Sequence, residues 1–236
     1  MSLAIQELAS RIRQLSREEL LSLTPDDAAQ LDWTLEDARC AEAVASFDAG
    51  PLFWLTTLTK TENPQYQEMK APFLAPFPKK SYFVPLFDAF LSRPKQLYIA
   101  KSRSMMTSWS AAGYAAWAAQ WRQEETLIQT LSQEKAEHII DYVWQLWSNQ
   151  EDWLKERHPI ERRSLLTVAW KGGGEVAGVA AGADKVRSYH SSTYILDEAA
   201  HVVEGEQCIN AVLPSGANII CISTAKAGWF GDAVSR

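Results

Sequence analysis

The chain has 236 residues, 47% hydrophobic and 22% charged, which suits one large domain or a domain with a small appendage. No stretch approaches the ~20 apolar residues that cross a bilayer, and the start, "MSLAIQELASRIRQLSREELL", lacks the apolar run of a secretory leader, so the sequence reads as cytosolic. A net charge of −6 argues against a protein coated in nucleic acid while leaving room for a local basic face; three dispersed cysteines (Cys40, Cys208, Cys221) give neither a zinc signature nor a disulfide framework.

Apolar spacing predicts a helix over residues 3–22, with Leu3, Leu8, Ile12, Leu15 and Leu20 near one face. Thr24 caps a following helix that Pro25 opens, with Asp26 and Asp27 in its first turn. Another short helix covers 34–47. The apolar run "PLFWLTTLT", 51–59, reads as a strand, and 60–80, with Pro64, Pro72, Pro76 and Pro78, as loop. The basic stretches "FPKK" (77–80) and "KERHPIERR" (155–163) read as solvated surface.

From about residue 81 strands and helices alternate. A helix, "SYFVPLFDAFL", precedes the strand "QLYIA" (96–100), a turn and a helix over 108–122. The strand "TLIQTLS" (126–132) leads into a helix over 133–150. "SLLTVAW" and "EVAGVAAG" form a hairpin through "KGGG", a flexible turn without the G-x-G-x-x-G of a dinucleotide site. "STYILDEAA" and "ANIICIST" supply two more buried strands. This alternation predicts an α/β fold, a mostly parallel sheet with helices on both faces. The expected division is a helical or lid region over 1–75 and a core over 76–236.

Ligands of open α/β sheets bind beyond the carboxyl ends of the strands. Three such ends carry chemistry. The first runs into "KSRSMMTS", 101–108. Against the phosphate-loop pattern G-x-x-x-x-G-K-[ST], only Ser108 matches; Thr107 takes the lysine place and Met106 the glycine place. The physical needs are nonetheless present: amides at a helix N-terminus, a cation in Lys101 or Arg103, and hydroxyls in Ser102, Ser104 and Ser108. The second end carries Asp197 and Glu198, which suits a Walker B element, one acid for Mg²⁺ and the next for the attacking water. A strand whose acids merely favour a following helix N-terminus is the competing account. The third ends in Ser223 and Thr224, which also read as ordinary strand caps. His138, His190 and His201 have no metal-ligand spacing and read as surface or supporting residues. Trp117, Trp121, Trp144 and Trp147 fall at helical intervals and read as core.

"KSRSMMTSW" resembles the variant Walker A of the large terminase subunit of tailed bacteriophages, commonly K-S-R-Q-x-G-x-[ST]. Lys101, Ser102, Arg103 and Ser108 match it, Ser104 stands for Gln and Met106 for Gly. "TLIQTLSQEKAEHII", "GVAAGADKVRSYHSSTYILDEAA" and "IICIST" resemble, in the family's order, its next strand and helix start, its glycine-rich segment with Walker B, and its coupling motif. "PFPKKSYFVPLFDAF" sits at the adenine-side segment, with Asp88 where Gln is usual. The resemblance spans roughly 75–230.

It implies a P-loop ATPase of RecA/ASCE type, the motor that drives double-stranded DNA into a procapsid. ATP and Mg²⁺ are the implied ligands. The loop 101–108, including Met105, holds the phosphates; Ser108 and Asp197 hold the metal; Glu198 orients the water, and Arg103 stabilises the transition state. Arg187 and Arg122 are weaker finger candidates. Ser223 and Thr224 couple the γ-phosphate to the DNA-gripping surface. Implied partners are the portal protein, the small terminase subunit and other copies in a ring, with no membrane, in the host cytoplasm. The family's C-terminal nuclease domain is not expected here, so neither is nuclease activity. A helicase-like DNA-dependent ATPase, suggested by "DEAAH", and a catalytically degenerate nucleotide- or DNA-binding assembly module are the alternatives.

Overall fold

A computed structural model describes residue 45, residues 50–63 and residues 73–235. The predicted helix over 3–22, the Thr24 cap, Cys40 and all but Ala45 of the helix over 34–47 lie outside the described residues. The chain divides into two compact units, Met1–Pro85 with Gln145–Pro159, and Leu86–Trp144 with Ile160–Arg236.

In the first unit the predicted strand over 51–59 is a helix instead. An α-helical turn, Gly50–Phe53, runs into a π-helical one, Trp54–Leu58. Every residue of both is buried, so the apolar run has no period by which a strand could be told from a helix. The Thr56 hydroxyl donates to the Leu52 carbonyl at 2.8 Å, a back-bond one turn earlier that lets a β-branched residue sit in a helix. The predicted loop holds one small antiparallel pair, Thr61–Glu62 with Leu74–Ala75.

The second unit is built on a seven-stranded sheet. Its strands are β1 (Gln96–Lys101), β2 (Glu125–Thr130), β3 (Ile160–Ser164), β4 (Thr167–Trp170), β5 (Glu175–Ala180), β6 (Thr193–Asp197) and β7 (Asn218–Thr224). They lie in the order β1-β7-β6-β2-β5-β4-β3. The first five are parallel, and β4 and β3 close the far edge antiparallel. Its helices include α1 (Thr107–Arg122), α2 (Gln133–Ser148), α3 (Gly205–Val212) and α4 (Trp229–Val234). The fold class is therefore the expected one, a mostly parallel α/β sheet with flanking helices.

The hairpin forms as predicted, Val168 facing Val176, but "SLLTVAW" is not one strand. β3 ends at Ser164, the chain turns through Leu165, which is 72% exposed, and β4 starts at Thr167. β3 was hidden because "IERRS" is polar, as suits an edge strand that must resist pairing with another chain. Its charges are matched within the unit: Arg162 donates to Glu175 at 2.8 Å, and Arg163 reaches Asp141 at 3.2 Å while its guanidinium lies 4.1 Å over the Trp144 ring. Compensated in this way, the pair does not form a free basic patch.

Thirteen of the sixteen residues of α1 are buried, so this helix has no solvated face and acts as core. Its alanines keep it thin. Gly174 and Gly178 of the hairpin meet helix backbone and a packed side chain: a Cβ on Gly174 would stand 1.9 Å from the Ala119 carbonyl oxygen, and one on Gly178 would stand 2.9 Å from Ile140. These two glycines serve close packing rather than flexibility.

Candidate functional site

Register places three strand tips side by side. Lys101 ends β1 opposite Thr224 of β7, and Asp197 ends β6 opposite Ile222 of β7. By strand alternation Thr224 shares the face of Ile222 and Asp197, whereas Ser223, fully buried, points to the other face. Of the two candidate coupling residues only Thr224 therefore stands beside the carboxylates.

The turn after β1 must reverse sharply to place α1 under the sheet. It does so with two residues in the left-handed region, Ser104 at φ 60° and Met106 at φ 52°, the second immediately before Thr107 opens the helix. Met106 is the position that the phosphate-loop pattern reserves for glycine, and its backbone has the conformation that glycine adopts freely. A side chain there costs about 1–2 kcal/mol. Met106→Gly is accordingly expected to raise the unfolding free energy by roughly 0.5–1 kcal/mol, the relief of that strain less the extra freedom glycine gives the unfolded chain. Urea denaturation measures it; a lower midpoint would show that the thioether packing outweighs the backbone strain. The first-turn amides of α1 face the turn without intrahelical acceptors.

The Ser108 hydroxyl donates to Asp197 Oδ2 at 2.8 Å. Asp197 is 5% exposed, and its other oxygen, Oδ1, is buried without a hydrogen-bond partner. Burial pushes its carboxyl above the ordinary aspartate value, and the Glu198 charge adds to that, while the Ser108 hydrogen bond, the Lys101 ammonium and the nearby Glu198 amide pull the other way. Lys101 Nζ lies 3.1 Å from Glu198 Oε1, with the lysine side chain 9% exposed. Glu198 is itself left-handed, at φ 55°, a strained backbone at a charged residue. The loop's Ser102, Arg103 and Ser104 are exposed, Thr107 is buried, and the Ser102 amide donates to the Met105 sulfur at 3.4 Å.

The donor set fits a hard cation. One buried carboxylate oxygen without a partner, beside a hydroxyl, is the sparse all-oxygen protein contribution that Mg²⁺ takes when phosphates and water supply the rest. The structure thus brings together Lys101, Ser108, Asp197, Glu198 and Thr224. It does not bring in Arg122. Arg122 ends α1 about 22 Å along its axis from the turn and stacks 4.5 Å over Trp117; Arg187 reaches exposed Asp184 at 3.4 Å. His138 packs edge-on against Tyr142.

One neighbour was read in the sequence only as a surface or supporting residue, and one escaped that reading. His201 reaches Thr224 through Nε2 at 3.1 Å. Gln129, fully buried on β2, donates to the carbonyls of Ala180 and Gly182 at 3.0 and 3.1 Å and accepts the Tyr194 hydroxyl, stapling the end of β5 to its neighbours. Nothing in a strand's apolar alternation marks a buried glutamine as a staple; for His201 the signal was its distance from the strand end.

No protein-family model matches the sequence, and no curated protein matches it. The fold is similar to that of the ATPase domain of the Thermus phage P74-26 large terminase, in a mutant form, with a TM-score of 0.51 and 15% identity over 72% of this chain and 73% of that one. It is likewise similar to the large terminase of bacteriophage HK97, with a TM-score of 0.52 and 15% identity over 68% of this chain and 36% of that one. The resemblance seen in the motifs is therefore met by a resemblance in fold.

Proposed function

We propose that this chain is the ATP-hydrolysing motor domain of a viral DNA-packaging machine of the large-terminase kind, with the core over 76–236 and the residues before it as an accessory region. The observation that carries the reading is the Ser108–Asp197 hydrogen bond with its second, unpartnered carboxylate oxygen, set between the tips of β1 and β6. The fold shared with two large-terminase structures supports the setting.

On this reading the loop 101–108 wraps the phosphates of ATP. Lys101 and the amides opening α1 bind them, and Arg103, exposed on the turn, reaches the γ-phosphate of its own or a neighbouring site. Ser108 and Asp197 hold Mg²⁺, which neutralises charge on the phosphates. Glu198 leaves Lys101 as the phosphates take over that ammonium, and its freed carboxylate orients the attacking water. Thr224 reads the γ-phosphate and passes its loss to the surface that grips double-stranded DNA. The portal protein, the small terminase subunit and further copies in a ring are the partners this role requires. The place is the host cytoplasm at the procapsid; no described helix is long and apolar enough to cross a membrane.

The test is phosphate release from Mg-ATP by the wild type beside Asp197→Asn. Turnover is expected in the wild type and not in the variant. Binding without turnover in the wild type would favour an assembly module, and duplex unwinding a helicase. The variant also carries a stability prediction. Burial raises the Asp197 carboxyl above its unfolded value, so the folded state loses stability as pH rises through that raised value. At neutral pH the amide removes the cost of a buried charge, and nucleotide-free Asp197→Asn is expected to melt at a higher temperature than the wild type. The gain should shrink as the pH is lowered. A variant that melts lower at neutral pH would mean that the carboxylate's own contacts outweigh its burial.

A further inference from the structure

His201 stands outside every role assigned so far, yet it joins two of the site's parts. The short 3-10 turn Ala199–His201 follows Glu198 directly. The His201 amide donates to the Glu198 carbonyl at 2.8 Å, and the Val202 amide to the Ala199 carbonyl at 3.2 Å. Ala199 is fully buried and Val202 is 2% exposed, so the turn is anchored at both ends in the apolar core. Glu198 and His201 are therefore two ends of one short rigid piece. The imidazole of that piece reaches the tip of β7, Nε2 lying 3.1 Å from Thr224 Oγ1.

On the other side of the piece, Glu198 is held by Lys101 at 3.1 Å in a strained left-handed backbone. A change of partner that shifts Glu198 out of its strained backbone conformation moves the adjoining turn with it. The single side-chain hydrogen bond leading onward from the turn is the one to Thr224 among those the described residues make there.

We infer that His201 is a positioning residue that carries the state of Glu198 to the tip of β7 through its hydrogen bond to Thr224. This rests on the nucleotide-site reading above and deepens it: the link from the nucleotide to β7 runs through the histidine as well as through any direct contact of Thr224 with phosphate. Either tautomer serves, because the threonine hydroxyl both donates and accepts.

The experiment is hydrogen exchange of the whole chain with and without Mg-ATPγS, in the wild type, His201→Ala and His201→Gln, paired with steady-state ATP turnover. The expected result is nucleotide-dependent protection at 101–108 in all three. Protection at 220–226 should be present in the wild type, lost in His201→Ala and retained in His201→Gln, whose amide can still bond the threonine. Turnover in His201→Ala is expected to fall about tenfold, the worth of one hydrogen bond, with KM for ATP unchanged. His201→Gln should recover most of it. Unaltered protection at 220–226 in His201→Ala, with protection at 101–108 intact, overturns the inference alone. So does a His201→Gln variant as impaired as His201→Ala, which marks a purely structural role. Absence of protection at 101–108 in the wild type overturns the nucleotide-site reading, and this inference with it.

Discussion

Gly174→Ala is expected to cost more than about 3 kcal/mol of folding stability, enough to leave the domain largely insoluble. The added methyl would stand 1.9 Å from the Ala119 carbonyl oxygen, 2.6 Å from its carbon and 2.7 Å from its Cα. All three are backbone atoms, so no rotamer change relieves the clash; α1 or the hairpin must move. Neither moves cheaply. The helix is buried on nearly every side, and the Gly174 carbonyl accepts the Trp170 amide at 2.8 Å within the turn. Gly173→Ala is the control. Nothing lies within 4 Å of its Cβ position, although its φ of 112° means that any side chain is strained there. Its expected cost is about 1–3 kcal/mol, from the backbone alone. Urea denaturation of the two variants separates steric from conformational glycine. A Gly174→Ala protein within 1 kcal/mol of the wild type would show that the helix shifts freely, and would undo the account of α1 as a rigid centre.

The contrast between those glycines shows what the sequence could carry. The buried strands, α1 and α2 were legible because each such strand is a short apolar run ending in polar residues and α2 has a clear helical period, whereas α3 and α4 were not foreseen. The parallel sheet followed from their alternation. What was not legible depended on partners distant in sequence. "PLFWLTTLT" has no period, since it is buried all round, and a run of that kind reads equally as strand or helix. "IERRS" looked like part of a basic surface, because an edge strand hides its pairing behind charges whose partners, Asp141 and Glu175, lie on other elements. In "KGGGEVAGVAAG" one residue type does two jobs: Gly172 and Gly173 turn the chain with positive φ, while Gly174 and Gly178 make room for helices. The candidate site was legible as residue types, but not as pairings. Nothing in "KSRSMMTS" says that Met106 would adopt a glycine's backbone, or that Lys101 and Glu198, 97 positions apart, would meet.

That meeting yields a sharper expectation for Glu198→Gln than loss of activity alone. As the proposed water-orienting group, the carboxylate should be worth about 10²–10⁴-fold in turnover, and the amide should forfeit most of it. The same change removes the anion that holds Lys101. Phosphates arriving at the wild-type site must displace a carboxylate 3.1 Å from the ammonium; in the variant they displace only a neutral amide. Glu198→Gln should therefore bind Mg-ATP more tightly, by about three- to tenfold, while hydrolysing it far more slowly. Lys101→Ala should do the reverse to affinity, weakening it about tenfold or more, because it deletes the proposed phosphate cation and leaves Glu198 unpaired beside an anionic ligand. The double variant discriminates between causes. If the gain in Glu198→Gln comes from releasing Lys101, it must vanish once Lys101 is alanine; if it comes only from removing a charge near the phosphates, it must persist. Titration of a fluorescent ATP analogue gives the affinities, and phosphate release gives the rates. Turnover in Glu198→Gln within tenfold of the wild type would take the water-orienting role from this residue. An affinity unchanged in Lys101→Ala would move the phosphate contact to Arg103 and the amides at the start of α1.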